Sequence, residues 1–493
     1  MKKHNITSLI LALLITMFVG TACAEETSTE STETTTETSA QAETAAEETE
    51  TTRYAADLPE RDFNGETFTF YARIYSGTWD ADDLLTDGIT GEKINDALYE
   101  RQTYIEDTYN LSLSVVQSGS DDILSNVKTF VNSGDSTYQA IVGKVYNMAS
   151  LTLSSMLYDL HEVDNIDLSQ PWWGQVMNNS VSIGGKQHYA VGDLFIVDNQ
   201  AERIYYFNKG LAEKLGLGNL YETVRGGKWT IDTFMECNET ALMDLNGDGE
   251  YTRDADQYGT MAQPQHLGLG LYIGAGQMVI GKDENDLPYF QAAQSDAIDV
   301  MVNIAEKIGS NPAISTSTDS TLSSLYPDNL VYFTEGRVLF SPEVLKHIES
   351  MRDSDVDIGI LPLPKYTEEQ ENYYCYADGH CVNAVGVPIT NTESEKIGFV
   401  LEAMSAESKN NLTPAYFEVC LTDKYVRDAD SAEMLSLVME SAVLDLGEVF
   451  QWNNITSTVS EAINNGSSIA STITSNETIV NKYIEKAIET IVG

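Results

Sequence analysis

Basic residues are scarce: 28 Lys and Arg face 76 Asp and Glu in 493 residues, a formal charge of −48. An excess of that size repels phosphate backbones and argues against a DNA or RNA partner. Cysteine is scarce too, and five in the whole chain cannot build a disulfide scaffold. The chain has no His-Glu-x-x-His, no Gly-x-Ser-x-Gly and no Cys-x-x-Cys. The compact signatures of zinc proteases, serine hydrolases and dithiol redox proteins are therefore missing. Past the first residues there are five histidines, His161, His188, His266, His347 and His380. Their scatter reads as surface or packing positions rather than ligands. One apparent nucleotide motif also fails: Gly276 to Asp283 fits P-loop spacing until Asp283 replaces the magnesium-binding hydroxyl. With so many carboxylates, a pair suited to glycoside hydrolysis is never excluded by counting, yet no pair is marked out.

What is present begins with an export signal. Lys2 and Lys3 precede an apolar run from Leu9 to Val19, then Gly20-Thr21-Ala22-Cys23. The run is too short for a membrane span, which takes about 20 residues. The end resembles a lipobox, with Gly20 where an aliphatic residue usually stands, and predicts cleavage of residues 1–22 and acylation of Cys23. Residues 24–52 hold only Ala, Glu, Thr, Ser and Gln, nine of them Glu. Such a stretch buries nothing and extends by self-repulsion, so 23–52 reads as an acidic tether. Without signal and tether, residues 53–493 still carry −41. The acidity belongs mainly to the folded body.

The body is 441 residues and, with the whole chain 42% hydrophobic, it can bury large cores. Glu66–Tyr75 alternates as a half-buried strand, residues 91–109 place Ile94, Leu98, Tyr99 and Ile105 at helical spacing, and Leu111–Val115 follows as a second strand. Strand, helix, strand with short joints predicts a βαβ unit and a parallel sheet. A helix about Val127–Val131 leads to a strand at Tyr138–Val142. A closing helix is expected from Thr474, capped with Glu477, with Val480, Tyr483, Ile484, Ala487, Ile488 and Ile491 on its apolar face. Glycines at 226–227 and from Gly268 to Gly276 read as turns. The class is α/β, in two lobes.

The sharpest local motif is Asp244-Leu245-Asn246-Gly247-Asp248-Gly249-Glu250. Oxygen-bearing side chains at alternate positions, with a carbonyl from Glu250, suit a structural Ca²⁺. The twelfth position is Ala255 rather than Glu, so Asp254 or Asp256 would close the shell. The alternative is an acidic turn without metal. Cys375 and Cys381 flank Asp378-Gly379, read as a hairpin turn; they could form a cross-strand disulfide or stay as two thiols. Cys237 and Cys420 read as buried. Trp79, Trp172, Trp173, Trp229 and Trp452, with 26 tyrosines, offer flat rings beside carboxylates, a combination suited to sugars.

Several stretches together carry a resemblance. Tyr206-Phe207-Asn208-Lys209, Leu215-Gly216-Leu217 and Gly227-Lys228-Trp229-Thr230 come first. The Asn-Gly-Asp-Gly turn before Gln257-Tyr258-Gly259 follows, then Phe333-Thr334-Glu335-Gly336-Arg337 and Asp357-Ile358-Gly359-Ile360-Leu361-Pro362-Leu363-Pro364. The stretch from Lys424-Tyr425-Val426-Arg427-Asp428 to Glu433-Met434-Leu435 completes them. From about residue 60 to 450 the chain resembles the bacterial extracellular solute-binding proteins (family 1) of carbohydrate-type ABC importers. The resemblance implies a two-lobed periplasmic-binding-protein-like (type II) fold closing on ligand about a hinge. It implies one lobe from 53–195 plus 340–383 and a second from 196–339 plus 384–493. It also implies a monomer without catalytic residues, anchored outside the cell membrane by lipid alone, that passes a carbohydrate, above all an oligosaccharide, to ABC permease subunits. Its expected ligand contacts are Arg73, Tyr75 and Trp79 after the first strand, Lys144 and Tyr146 after the strand at 138–142, Asp198 and Glu343 at the crossings, Tyr272, and Trp452 as a stacking ring. Trp229 reads as structural. The rival readings are an anchored glycoside hydrolase and a receptor feeding a sensor kinase.

Overall fold

The computed structural model describes residues 53–73, 84–119, 122–316, 328–351, 353–422 and 428–493. Strand β1 (Glu66–Arg73) buries Phe68, Phe70, Tyr71 and Ala72. Burial of neighbouring residues means both faces are covered, as in parallel sheets flanked by helices. The helix Lys93–Tyr109 ends at Asn110, in the left-handed region at φ 51°. β2 (Leu111–Ser118) then pairs parallel to β1, with Phe68 opposite Leu113. The helix Ile123–Ser133 returns the chain to β3 (Ala140–Lys144), parallel to β1 on its other side. The βαβ pattern of the sequence thus forms as expected, and it repeats.

The second sheet holds β4 (Arg203–Asn208), β5 (Tyr258–Ala262), β8 (Ile314–Thr316), β9 (Val338–Val344) and β10 (Ile358–Leu361) in the order β10-β4-β9-β5-β8. β5 is parallel to β8 and β9, and β4 is antiparallel to β9 and β10. β6 (Gly281–Lys282) and β7 (Pro288–Tyr289) form a small hairpin. β11 (Cys375–Tyr376) pairs in parallel with β13 (Ala442–Val443), whereas β12 (Asn383–Gly386) joins the first sheet antiparallel to β3.

This topology corrects the expected lobe boundaries. Residues 340–361 supply β9 and β10 to the second sheet, not the first. Residues 384–422 return to the first: β12 pairs there, and the helices Ser394–Asn410 and Leu412–Thr422 pack on the helix Lys93–Tyr109. Strand pattern alone does not say which sheet receives a strand, because a buried strand reads the same in either.

Two further expectations change. The segment from Gly268 to Gly274 is not a turn but part of the helix Pro264–Gly274, whereas Gly276 does turn beyond its end, at φ 75°. Its glycines permit close approach: a Cβ on Gly268 would lie 2.8 Å from Asn464 Nδ2, and one on Gly274 would lie 2.6 Å from the Pro364 carbonyl. The closing helix runs Ile469–Ile491, starting a turn before Thr474 because Ile469 and Ile473 are already buried. Thr474 therefore sits inside it, its hydroxyl donating to the Ala470 carbonyl at 2.8 Å. Gly227 does turn, at φ 69°. Trp229 is buried, its indole donating to the Pro362 carbonyl at 2.9 Å.

Candidate functional site

The chain passes between the sheets at 197–202 and returns at 377–382. These crossings are tied together. Asp378 N donates to the Ala201 carbonyl at 3.0 Å, Leu345 N to the Glu202 carbonyl at 2.9 Å, and Val145 N to the Val382 carbonyl at 3.1 Å. Beside the second crossing, the carboxyl end of β3 and the carboxyl end of β5, which opens into the helix Pro264–Gly274, come together. Open α/β sheets place ligands at such strand ends. A cavity of about 130 Å³ lies there, lined among others by Gln265, His380, Glu448, Gln451, Asn454 and Ser457.

Charge in this cavity is compensated pair by pair. The buried Arg203 guanidinium donates to Asp378 Oδ2, and also to His266 Nε2 at 3.1 Å. Burial is the largest influence and pushes the Asp378 carboxyl up, but the Arg203 guanidinium and the His380 imidazolium together overcome it and hold the group well below the usual carboxylate range. Burial drives His266 well below its ordinary value, and Arg203 adds to the effect, so that imidazole is neutral and its Nε2 can accept. His380 lies between Asp378 (3.5 Å) and Glu448 (3.2 Å). Bonds to those two carboxylates raise it to about 10, so it is an imidazolium at neutral pH. Burial lifts Glu448, and the His380 bond opposes that rise. A chain of alternating basic and acidic groups, Arg203, Asp378, His380 and Glu448, results. Its surroundings are side-chain amides and hydroxyls, suited to an uncharged ligand rich in hydroxyl groups.

The backbone here is unusual. Gln451, Asn453 and Asn454 all adopt left-handed φ values, 53°, 52° and 53°. Asn tolerates this conformation and Gln less so. Such strain concentrates where a fold must present particular groups, and Gln451 and Asn454 both line the cavity.

The sequence-predicted contacts divide. Tyr146 stands near the site, its ring 5.8 Å from the His380 ring. Lys144 reaches the same crossing but is buried, its Nζ donating to the Cys381 carbonyl at 2.7 Å. It positions the crossing rather than offering a free ammonium. Arg73 closes β1, and Tyr75 and Trp79 lie outside the described residues, as does Cys23. Asp198 lines a different cavity. Glu343 is buried and engaged with His347 Nδ1 at 3.0 Å. Tyr272 is a correction: it is wholly buried in its helix, with its hydroxyl 3.4 Å from the Met278 carbonyl. Trp452 is another. It is 2% exposed and stacks on Phe450 at 5.0 Å, inside the protein and off the cavity wall. Trp172 and Trp173 are also structural, both indoles donating to Glu402 at 3.1 and 2.9 Å.

Arg203, His266, Asp378, His380 and Glu448 escaped the sequence reading. Only the Asp378-Gly379 turn hinted at them. That turn exists, with Cys381 N donating to the Asp378 carbonyl at 2.8 Å, but β11 and β12 lie in different sheets, so it is a crossing and not a hairpin. Cys375 and Cys381 are free thiols. In the acidic loop, Asp244 accepts from Gly247 N and Gly249 N at 2.7 and 2.8 Å. Asn246 accepts from Asp248 N and Asp248 from Glu250 N, both at 2.8 Å. Asp256 accepts from Leu245 N and Thr252 N, and Asp254 from the Tyr332 hydroxyl.

No protein-family model and no curated protein sequence matches the chain. Solved structures do. An ABC substrate-binding protein from Listeria monocytogenes, in complex with cycloalternan, aligns with TM-score 0.53 at 14% identity, covering 85% of this chain and 99% of its own. A cyclo/maltodextrin-binding protein complexed with maltotetraose gives 0.55 at 12%, over 86% and 97%. UgpB from Mycobacterium tuberculosis, in complex with glycerophosphocholine, gives 0.51 at 14%, over 87% and 99%. At such identities the likeness is one of fold, and the chain has the two-lobed α/β fold of periplasmic-binding-protein-like proteins.

Proposed function

We propose that this protein captures a carbohydrate between its lobes and delivers it to an ABC permease, held at the outer membrane surface by an acylated Cys23. The observation that carries the reading is the cavity at the strand ends. Side-chain amides and hydroxyls there stand beside Asp378, His380 and Glu448, and the buried Arg203 behind Asp378 helps to balance their charge. Neutral hydroxyls gain charge-assisted hydrogen bonds from such groups, whereas an anion or cation meets no excess of opposite charge. The fold supports the same reading, since the structural neighbours are binding proteins rather than enzymes. About 130 Å³ is below the roughly 300–1,000 Å³ of ordinary ligand pockets. An oligosaccharide therefore needs the lobes further apart than they are here, as opening about the hinge would provide.

A thermal-shift screen of residues 53–493 against neutral mono- and oligosaccharides, with the glycans analysed afterwards, tests the proposal. A saturable rise in Tm with glycan intact supports capture. Cleaved glycan would instead mark a hydrolase.

A further inference from the structure

A second cavity, of about 350 Å³, shares no lining residue with the first. Its wall is partly apolar, with Trp173, Met177, Phe417 and Met439, and partly acidic, with Asp198 and Glu202. Glu202 is the anomaly. It is 1% exposed, and neither carboxylate oxygen has a hydrogen-bond partner among the described residues. Buried polar groups are almost always paired, and leaving one unpaired is destabilising, more so when it is charged. Nearby cations do not supply the partner. The cavity's Lys409 lies 3.1 Å from Asp193, whose other oxygen takes the Thr413 hydroxyl at 2.6 Å.

From this we infer that the cavity binds a small organic cation, an ammonium head paired with Glu202 and an apolar body against Met177, Phe417 and Met439. Both orphaned oxygens are sealed from solvent here, so the Glu202 side chain must turn toward the cavity for charge-assisted N–H···O bonds to satisfy them. The volume lies in the range of small-molecule sites. A bare Ca²⁺ fits less well, because it takes six to eight oxygen ligands and leaves the apolar side formed by Trp173, Met177, Phe417 and Met439 without a partner. Glu202 belongs to the crossing at 197–202 and bridges to Ala377 on the returning one. An occupant would thus rest on the segments that join the sheets.

Calorimetry with n-butylammonium chloride, with n-butanol and sodium chloride as controls, tests this. The expected result is saturable binding of butylammonium alone, weakened at least tenfold by Glu202→Gln. No saturable binding to the wild type, equal binding of n-butanol, or undiminished binding by a folded Glu202→Gln would each overturn it. If Glu202→Gln does not fold, Met439→Lys decides. Its tethered ammonium occupies the cavity, so loss of butylammonium binding supports the site and retention contradicts it.

Discussion

His380 owes its charge to position, since a histidine with an ordinary pKa of 6.5 is held between Asp378 and Glu448 and raised to about 10. The folded protein then keeps a proton that the unfolded chain releases. This contribution to stability is complete below pH 6.5 and is lost as pH rises through 10. Wild-type Tm should therefore fall more steeply between pH 7 and 10 than that of His380→Ala. Parallel slopes in a pH series of thermal melts would remove the imidazolium. Trp452 makes a different prediction. Because it is buried against Phe450, Trp452→Ala should cost about 3–5 kcal/mol of stability, read by urea unfolding. A folded variant losing ligand affinity without stability would restore it as a contact. Residue chemistry of this kind was barely legible beforehand. Arg203, Asp378 and Glu448 are 175 and 70 positions apart in turn, and no spacing rule links side chains brought together by two sheets. Aromatic rings drew attention as stacking groups, yet the same apolar area is what buries them.

Elements were read more successfully than residues. Apolar periodicity located β1, β2, the helices beside them and the closing helix, because each buries one repeating set of side chains. It misplaced boundaries where tertiary contacts decide them, as at Ile469, and mistook the glycines of the helix Pro264–Gly274 for turns. Those glycines follow from close packing against Asn464 and Pro364, partners a local window cannot contain. The acidic loop is an element with its own test. Its side-chain oxygens at Asp244, Asn246 and Asp248 already accept backbone N–H groups. Each carboxylate oxygen has a further lone pair, so these turns are compatible with a Ca²⁺ shell. We expect EGTA to lower Tm and protease resistance while leaving carbohydrate affinity nearly intact. Unchanged Tm and proteolysis would mean a metal-free acidic turn.

At the scale of the molecule, sparse basic residues argued against nucleic acid, and the structure adds where the charge is balanced. The cavity at the strand ends is locally neutral although residues 53–493 carry −41. The α/β class was legible from alternating strands and helices, and two lobes from the 441-residue length of the body and the family resemblance. Which segments belong to which lobe was not, since β9, β10 and β12 differ in partner and not in pattern. The account stands on that neutral cavity holding sugar. The most direct measurement is a calorimetric titration of the best glycan from the screen into wild type and Ser457→Trp, whose indole would fill the cavity from the helix Ile455–Asn465. The account predicts saturable binding to the wild type and at least a hundredfold loss in Ser457→Trp, with the ligand-free Tm little changed. Equal affinity in both proteins would place the ligand elsewhere and contradict it.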